Sequence, residues 1–165
     1  MQTFLPINST DFSETASVLD YKRLNKQALE GWQIIMALVE LDPSGNHRTP
    51  KGWKNHPAVK MWRGYEHVLL DYVECMTTEW RMRGFSTTID YKAKATINTA
   101  YKNDRTRFLD GLPAWMEDTV WFTQITSSHR TALLTKDYEW YSQFGWAEDT
   151  GDAPDTYVYV WGVED

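Results

Sequence analysis

The chain has 165 residues, which is the size of one domain with a substantial core. Its net charge of -6 excludes a protein that binds nucleic acid indiscriminately through an overall positive charge. The single cysteine excludes an intrachain disulfide framework, which favours a reducing, cytoplasmic compartment. The sequence contains no basic leader and no run of about 20 apolar residues, so we expect neither a signal peptide nor a membrane span.

The charges are unevenly distributed along the chain. All 17 basic residues lie at or before Lys136, whereas residues 137–165 contain eight acidic residues and no basic ones. Residues 1–136 therefore carry 17 basic and 15 acidic side chains, a net charge of +2. Such a body can present a phosphate-binding face, and the alternative is an acidic end that only aids solubility.

The stretch from Asp11 to Leu41 predicts one long helix, or two helices that meet near Asp20. Asp11 followed by Glu14 fits a capping box at its start. At 100° per residue, one stripe of this helix is apolar and indicates a core face. That stripe contains Leu24, Ala28, Trp32, Ile35 and Val39. The opposite strip is polar, and is either a solvated outer face or a binding surface; it contains Arg23, Lys26, Gln27 and Glu30.

A second long helix is predicted from Pro57 to about Arg83, with Gly84 as its C-cap. Its apolar stripe contains Ala58, Trp62, Tyr65, Leu69, Tyr72, Met76 and Trp80. Its polar stripe, expected to lie on one face, contains His56, Lys60, Arg63, His67 and Glu74. A glycine inside a helix costs about 1 kcal/mol relative to alanine. Gly64 therefore indicates either a close approach by another helix or a ligand, or a tolerated weak point.

The rest of the chain is less regular. Residues 85–110 are the most basic segment and predict either a helix over 86–103 or a turn-rich excursion. A third main helix is predicted from Ser127 or Ser128 to about Lys136, and basic residues in its first turn would oppose the helix dipole and favour an anion. Those residues are His129 and Arg130. An aromatic, irregular segment follows, with a strand or extended run over 157–161. The sequence thus predicts a compact all-α domain over residues 1–165 with three main helices.

Common catalytic and metal motifs do not occur in the sequence. There is no Gly-rich phosphate loop, no Gly-x-Ser-x-Gly, no His-Glu-x-x-His and no cysteine pair for zinc. His56 and His67 lie three turns apart on the predicted helix, too far for one metal ion. We therefore expect no metal and no cofactor.

Three stretches resemble the pyrimidine-dimer DNA glycosylase family, the endonuclease V type of ultraviolet-damage repair enzyme. The first is Asp20-Tyr21-Lys22-Arg23-Leu24-Asn25-Lys26, similar to the family's Glu-Tyr-Arg-Glu-Leu-Pro-Arg. The second contains Gly64-Tyr65-Glu66-His67-Val68 and ends in Arg83-Gly84-Phe85. The third runs from Ser128-His129-Arg130 to Trp140-Tyr141. The order of the stretches and the chain length also match, and residues 55–64 are similar to a less studied branch assigned to this family.

The resemblance implies an all-helical protein that binds a kinked DNA duplex at a damaged base, and a glycosylase with a linked lyase step. The family's nucleophile is the N-terminal α-amine, which attacks the sugar C1′ and forms an imine. An α-amine ordinarily has a pKa of about 7.7–8.0, so a useful fraction is neutral near pH 7. The family also uses a carboxylate near that amine, supplied by the residue immediately before the leucine of the first motif.

The chain departs from this pattern at two positions. Arg23 stands where the family has its catalytic glutamate, and Gln2 is a large second residue that normally leaves the initiator methionine in place. We therefore expect Met1 as the nucleophile and Glu30 as the replacement carboxylate, with Glu14 and Asp20 as alternatives. The predicted catalytic set is Met1, Glu30 and Arg23. The predicted DNA-binding set is Lys22, Lys26, Gln27, His56, Lys60, Arg63, His67, His129 and Arg130. A convergence on one side of the molecule, with Met1 nearby, is expected for Lys22, Arg23, Lys26, Lys60, Arg63 and His67.

The expected function is base excision in DNA repair, on double-stranded DNA with a damaged or modified base, by a monomer. Three other functions stay open: a non-catalytic binder of damaged or modified DNA, an enzyme of the same fold acting on another modified base or nucleotide, and a helical interaction protein that binds no nucleic acid. Covalent trapping on DNA separates the first function from the rest. Salt-dependent binding without trapping favours the non-catalytic binder.

Overall fold

The computed structural model describes residues 1–163, in which the chain forms eight α-helices and no β-strand. In chain order they are α1 (Phe12–Val18), α2 (Tyr21–Val39), α3 (Pro57–Lys60), α4 (Glu66–Met82), α5 (Ile89–Asn103), α6 (Ala114–Glu117), α7 (Thr119–Lys136) and α8 (Tyr138–Tyr141). The buried apolar side chains form one core, and the all-α fold class is confirmed. Within residues 1–163, no helix combines the length and the apolar character that a membrane span requires.

The opening stretch is two helices that meet at Leu19 and Asp20. The Asp20 carboxylate accepts from the Lys22 and Arg23 backbone N–H groups and so caps α2. All five residues of the predicted apolar stripe of α2 are buried. Helix α2 packs against α4 and α5, and a Cβ at Gly31 would lie only 2.5 Å from Val73 Cγ2. Helix α2 is therefore the central element of the fold.

The second predicted helix is broken in two, which corrects the prediction of one helix from Pro57 to Arg83. Helix α3 ends at Lys60, and α4 begins only at Glu66. Between them Gly64 has φ +87°, a conformation that favours glycine, and its carbonyl accepts from the Leu109 N–H at 2.8 Å. The close approach at Gly64 is thus made by the loop after α5. Because the helix is interrupted, the expected single polar face does not form; its members were His56, Lys60, Arg63, His67 and Glu74.

Of the two alternatives for residues 86–103, the helix is confirmed: α5 packs against α2 and α4. It adds a fourth long helix to the three main helices that were predicted. The start of α7 also differs from the prediction. Helix α7 begins at Thr119, eight residues before the earliest predicted start at Ser127. His129 and Arg130 therefore lie in the interior of α7 rather than in its first turn, and the expected conflict with the helix dipole does not arise.

The chain after α8 contains a short 3-10 helix, Ser142–Phe144, and then runs without regular structure to residue 163. Residues 157–163 are packed against α7, and we call them the C-terminal strap. The Val160 N–H donates to Ser128 Oγ at 3.1 Å, and Trp121 Nε1 donates to the Trp161 carbonyl at 3.0 Å. The run predicted over 157–161 is therefore an anchored segment but not a β-strand.

Candidate active site

Residues 2–5 are buried and form the floor of the site. The Phe4 N–H donates to Gln27 Oε1 at 2.8 Å, and the Tyr72 hydroxyl donates to the Phe4 carbonyl at 2.8 Å. Trp62 Nε1 donates to Thr3 Oγ1 at 3.1 Å. Side chains of the core thus satisfy polar groups of the N-terminal segment, as buried backbone requires. These bonds hold the start of the chain in a defined position.

His129 belongs to this floor and not to the surface. Its ring is fully buried, Nδ1 accepts from the Leu5 N–H at 2.8 Å, and Nε2 lies 3.0 Å from the Gln2 side-chain nitrogen. Burial lowers the pKa of His129 to about 3, so the ring is neutral at pH 7. A neutral, enclosed imidazole cannot reach a phosphate. The structure therefore corrects the prediction that His129 binds DNA.

Arg130 is likewise turned into the protein. Its Nε and Nη2 donate to the two Glu148 carboxylate oxygens at 2.7 Å each, and its Nη1 donates to the Pro6 carbonyl at 2.9 Å. Such a bidentate pair occupies the guanidinium and joins α7 to the acidic end of the chain. The position of Arg130 thus gives it a structural role instead of the predicted contact with DNA.

The Glu30 carboxylate lies beside the N-terminal amine. Its Oε2 accepts from the Gln2 N–H at 3.1 Å and from Gln27 Nε2 at 3.3 Å. Its Oε1 lies 3.9 Å from the Met1 nitrogen and 3.8 Å from Lys26 Nζ. The Glu30 side chain is 11% exposed, whereas that of Lys26 is 68% exposed. One carboxylate oxygen is thus fixed by hydrogen bonds, and the other faces the amine.

His56 is electrostatically influenced by the same amine. Burial, and after it the positive charge of the Met1 amine, lowers the pKa of His56. His56 Nδ1 accepts from the Ala58 N–H at 3.1 Å and so caps α3. Because Nδ1 accepts, the proton of the neutral ring is on Nε2. His56 therefore brings a neutral donor, not a cation, to the site.

A cleft of about 450 Å³ opens beside Met1, between α2 and the loop over residues 43–53. Its walls include the Trp32 and Trp53 rings, and Arg48 and Lys51 also line it. A concave cleft that combines aromatic walls with a few charged groups next to a reactive group suits a small molecule or a nucleotide. The sequence did not indicate Trp53, Arg48 or Lys51, because an irregular loop has no period from which to read a shared face.

Arg23 is directed into an ion-pair network at the start of α2. Its Nη1 lies 2.6 Å from Asp20 Oδ2 and 3.5 Å from Asp137 Oδ2, and its guanidinium lies 5.7 Å from the centre of the Tyr141 ring. The Tyr141 hydroxyl donates to the same Asp20 oxygen at 2.6 Å. Within residues 1–163, no hydrogen bond or ion pair joins Arg23 to Met1.

The other predicted DNA-binding residues are placed differently from one another. Gln27 is buried and holds both Phe4 and Glu30, so it cannot contact DNA from this position. His67 is half-buried on α4, with its ring 6.4 Å from that of Tyr65, and in the described part of the chain no contact joins it to Met1. Three cations are exposed, and no hydrogen bond or ion pair is formed by their side chains within residues 1–163: Lys22, Lys60 and Arg63.

Comparison with known families gives a match over residues 1–93 to the family described as pyrimidine dimer DNA glycosylase. The match spans more than half of the 165 residues and includes the N-terminal segment, α2 and α4. Searches of curated proteins and of solved structures found no significant match. The matched region contains both Met1 and Glu30, the amine and the carboxylate that meet in the structure. This chain belongs to the pyrimidine dimer DNA glycosylase family.

Proposed function

We propose that this protein removes a damaged base from double-stranded DNA, with the Met1 amine as nucleophile and the Glu30 carboxylate as general acid/base. The observation that carries the proposal is the 3.9 Å distance between Glu30 Oε1 and the Met1 nitrogen in a member of a glycosylase family. Glu30 supplies the carboxylate although Arg23 occupies the family's glutamate position.

The proposed reaction begins with attack by the neutral amine on C1′ of the damaged nucleotide. The N–C1′ bond forms as the glycosidic bond breaks, and the base leaves with the bonding electron pair and takes up a proton from solvent. Glu30 accepts a proton from the attacking nitrogen and returns it to O4′ as the sugar ring opens, which leaves an imine between Met1 and C1′. Loss of a C2′ proton then expels the 3′ phosphate, which is the lyase step.

The surroundings of Glu30 suit this role. Two hydrogen bonds to Oε2 hold the carboxylate in place. Its Oε1 lies 3.9 Å from the Met1 nitrogen, a separation that one water molecule or a small approach of the amine bridges for proton transfer. The exposed Lys26 ammonium lies 3.8 Å from the same oxygen and can contact a phosphate at the edge of the site. The adjoining cleft beside Met1 offers space for a displaced nucleotide.

DNA binding is proposed to rest on exposed cations, of which Lys26 lies at the site itself. Lys22, Lys26, Lys60 and Arg63 are exposed, whereas the acidic residues after 136 give the other end of the chain its negative charge. Binding through such contacts weakens as salt rises, because phosphate neutralisation releases counterions. This salt dependence is also expected of a non-catalytic binder, so binding alone does not establish the reaction.

Borohydride trapping tests the proposal directly. We expect a covalent adduct with ultraviolet-irradiated duplex and with a duplex containing an abasic site, and none with undamaged duplex. Protein whose N-terminal amine is blocked should bind DNA but form no adduct. If protein with a blocked N-terminal amine is still trapped, the nucleophile is a lysine such as Lys22 or Lys26 instead. Binding to damaged duplex without trapping by the unmodified protein would show a non-catalytic binder instead.

A further inference from the structure

The C-terminal strap carries aromatic rings that continue directly into the site. The Tyr157 and Tyr159 rings lie 5.0 Å apart, and Tyr159 and Trp161 lie 5.2 Å apart. The centre of the Trp161 ring lies 5.5 Å from that of the His56 ring, which lies 5.1 Å from the centre of the Trp53 ring. We call these five rings the aromatic row. Since Trp53 and Met1 both line the same cleft, the row runs from the strap to the cleft of the proposed nucleophile.

The strap is held in this position by contacts of its own. Besides the two hydrogen bonds to Ser128 and Trp121, Gly162 lies against the Trp115 ring, where a Cβ would be 2.4 Å from Cγ. Trp115 is itself fixed, because its Nε1 donates to the Met61 carbonyl at 2.8 Å. The strap is therefore a positioned part of the fold.

Tyr159 connects the strap to the floor of the site. Its ring lies 5.6 Å from that of His129 and 6.4 Å from that of Phe4, both in the floor of the site. Burial, and after it the neighbouring Tyr157, raises the pKa of Tyr159, while the charges of Arg23 and Glu30 also act on it. The phenol is therefore neutral at physiological pH.

Partly exposed rings next to a proposed base-excision site have a specific chemical use. Aromatic side chains stack on unpaired bases, and each stacked base contributes about 1–3 kcal/mol. Rings of the aromatic row other than Trp53 are half-buried and keep part of their surface accessible, while the intervening Val158 is 83% exposed and lies outside the row. Unpaired bases, rather than a duplex or a peptide, match a row of neutral rings that ends at the cleft beside Met1.

We propose that Tyr159 and Trp161 are specificity-determining residues that stack on the damaged base, or on the unpaired base beside it, and present its sugar to Met1. This inference rests on the proposed function. The strap, which lies outside the matched residues 1–93, would recognise the base. The matched region would supply the amine and the carboxylate.

The test compares two DNA substrates in single-turnover trapping, one with an ultraviolet lesion and one with an abasic site that has no base to stack. Trp161→Ala should slow trapping on the lesion by about tenfold or more, as expected for a lost stacking partner, and change the abasic reaction by less than about twofold. Trp161→Phe, which keeps a ring, should retain most of the activity. Val158→Ala is the matched control on the strap and should behave as wild type on both substrates.

The outcomes separate the inference from the proposed function. Equal losses on both substrates, or no loss on either, would overturn the role of the strap while leaving the amine mechanism standing. Thermal melting identifies a Trp161→Ala variant that has lost its fold, and Tyr159→Ala then provides the second test of the same row. A wild-type protein that is trapped on neither substrate would overturn both proposals.

Discussion

Replacing Glu30 by glutamine tests the centre of the proposed mechanism with almost no change in shape. The glutamine carbonyl can still accept from the Gln2 N–H and Gln27 Nε2, as Glu30 Oε2 does at 3.1 and 3.3 Å. Its NH₂ group would take the place of Oε1, which lies 3.9 Å from the Met1 nitrogen. A donor would then face the amine, and no group would be left there to accept its proton.

The expected loss follows from this exchange of acceptor for donor. A positioned general acid/base contributes typically 10²- to 10⁴-fold in rate. At about 1.36 kcal/mol per tenfold, this range corresponds to roughly 2.7–5.4 kcal/mol of activation free energy. Stability should change much less, by about 1 kcal/mol, because hydrogen bonds to a charged acceptor are exchanged for hydrogen bonds to a neutral one. Glu30→Gln should therefore stay folded and bind DNA, but react slowly.

Single-turnover borohydride trapping on an abasic duplex measures the chemical step, and fluorescence anisotropy measures binding on the same duplex. Glu14→Gln is the matched control, because Glu14 is an exposed carboxylate on α1. The control should react like wild type. Full wild-type trapping by Glu30→Gln would refute the assignment of Glu30, and an equal loss in binding and in trapping would mean that the residue acts on affinity alone.

Three further predictions concern the surroundings of the site. Lys26→Ala should weaken DNA binding and reduce the slope of log K against log salt by about 0.9, the value for one phosphate contact. The control is Lys102→Ala, which removes an exposed cation on α5. Equal slopes for the two variants would contradict a phosphate contact by Lys26. Arg23→Glu should lower the free energy of unfolding in urea by about 2–3 kcal/mol, which is less than the loss for a fully buried ion pair. The substitution places a third carboxylate beside those of Asp20 and Asp137, which now bind the guanidinium. Undiminished stability with higher activity on pyrimidine dimers would contradict this. Burial lowers the pKa of His129 in the folded protein to about 3, so the unfolded chain binds more protons than the folded one between pH 3 and 6.5. The free energy of unfolding therefore falls as the pH falls through that window, by at most about 1.4 kcal/mol per pH unit. His129→Gln should flatten this dependence between pH 6.5 and 4.5, the exposed His47→Gln should not, and parallel curves for all three proteins would refute the assignment.

Periodicity predicted the parts of the fold in which neighbours along the chain decide the structure. The apolar stripe of α2 repeats every three or four residues, and each of its members is buried. The same method failed at Gly64, because apolar residues on both sides continue the helical period although the backbone turns there. What fixes that turn is the loop at Leu109, 45 positions further along the chain, which no local pattern contains.

The candidate site shows the same division. The sequence grouped Lys26, Gln27 and Glu30 on one strip of α2, and the structure places all three at the N-terminal segment. It could not show that Gln27 and Glu30 are buried, because the segment that covers them docks through His129, more than 120 residues away. The aromatic residues at 157, 159 and 161 alternate along the sequence, which indicated an extended segment. Their spacing did not indicate which parts of the fold they contact.

The position of the carboxylate depends on how the N-terminal segment lies across α2. Arg23 and Glu30 are seven residues apart, which is two helical turns or about 10 Å along the axis. The Phe4 N–H and the Gln2 N–H are bound at Gln27 and at Glu30, so the amine meets the helix at Glu30 and not at Arg23. Arg23 pairs with Asp20, and the proposed reaction assigns no role to the side chain at position 23. The docking of residues 2–5 is therefore as much a part of the proposed active site as the carboxylate, since a shift of one turn along α2 would separate amine from acid.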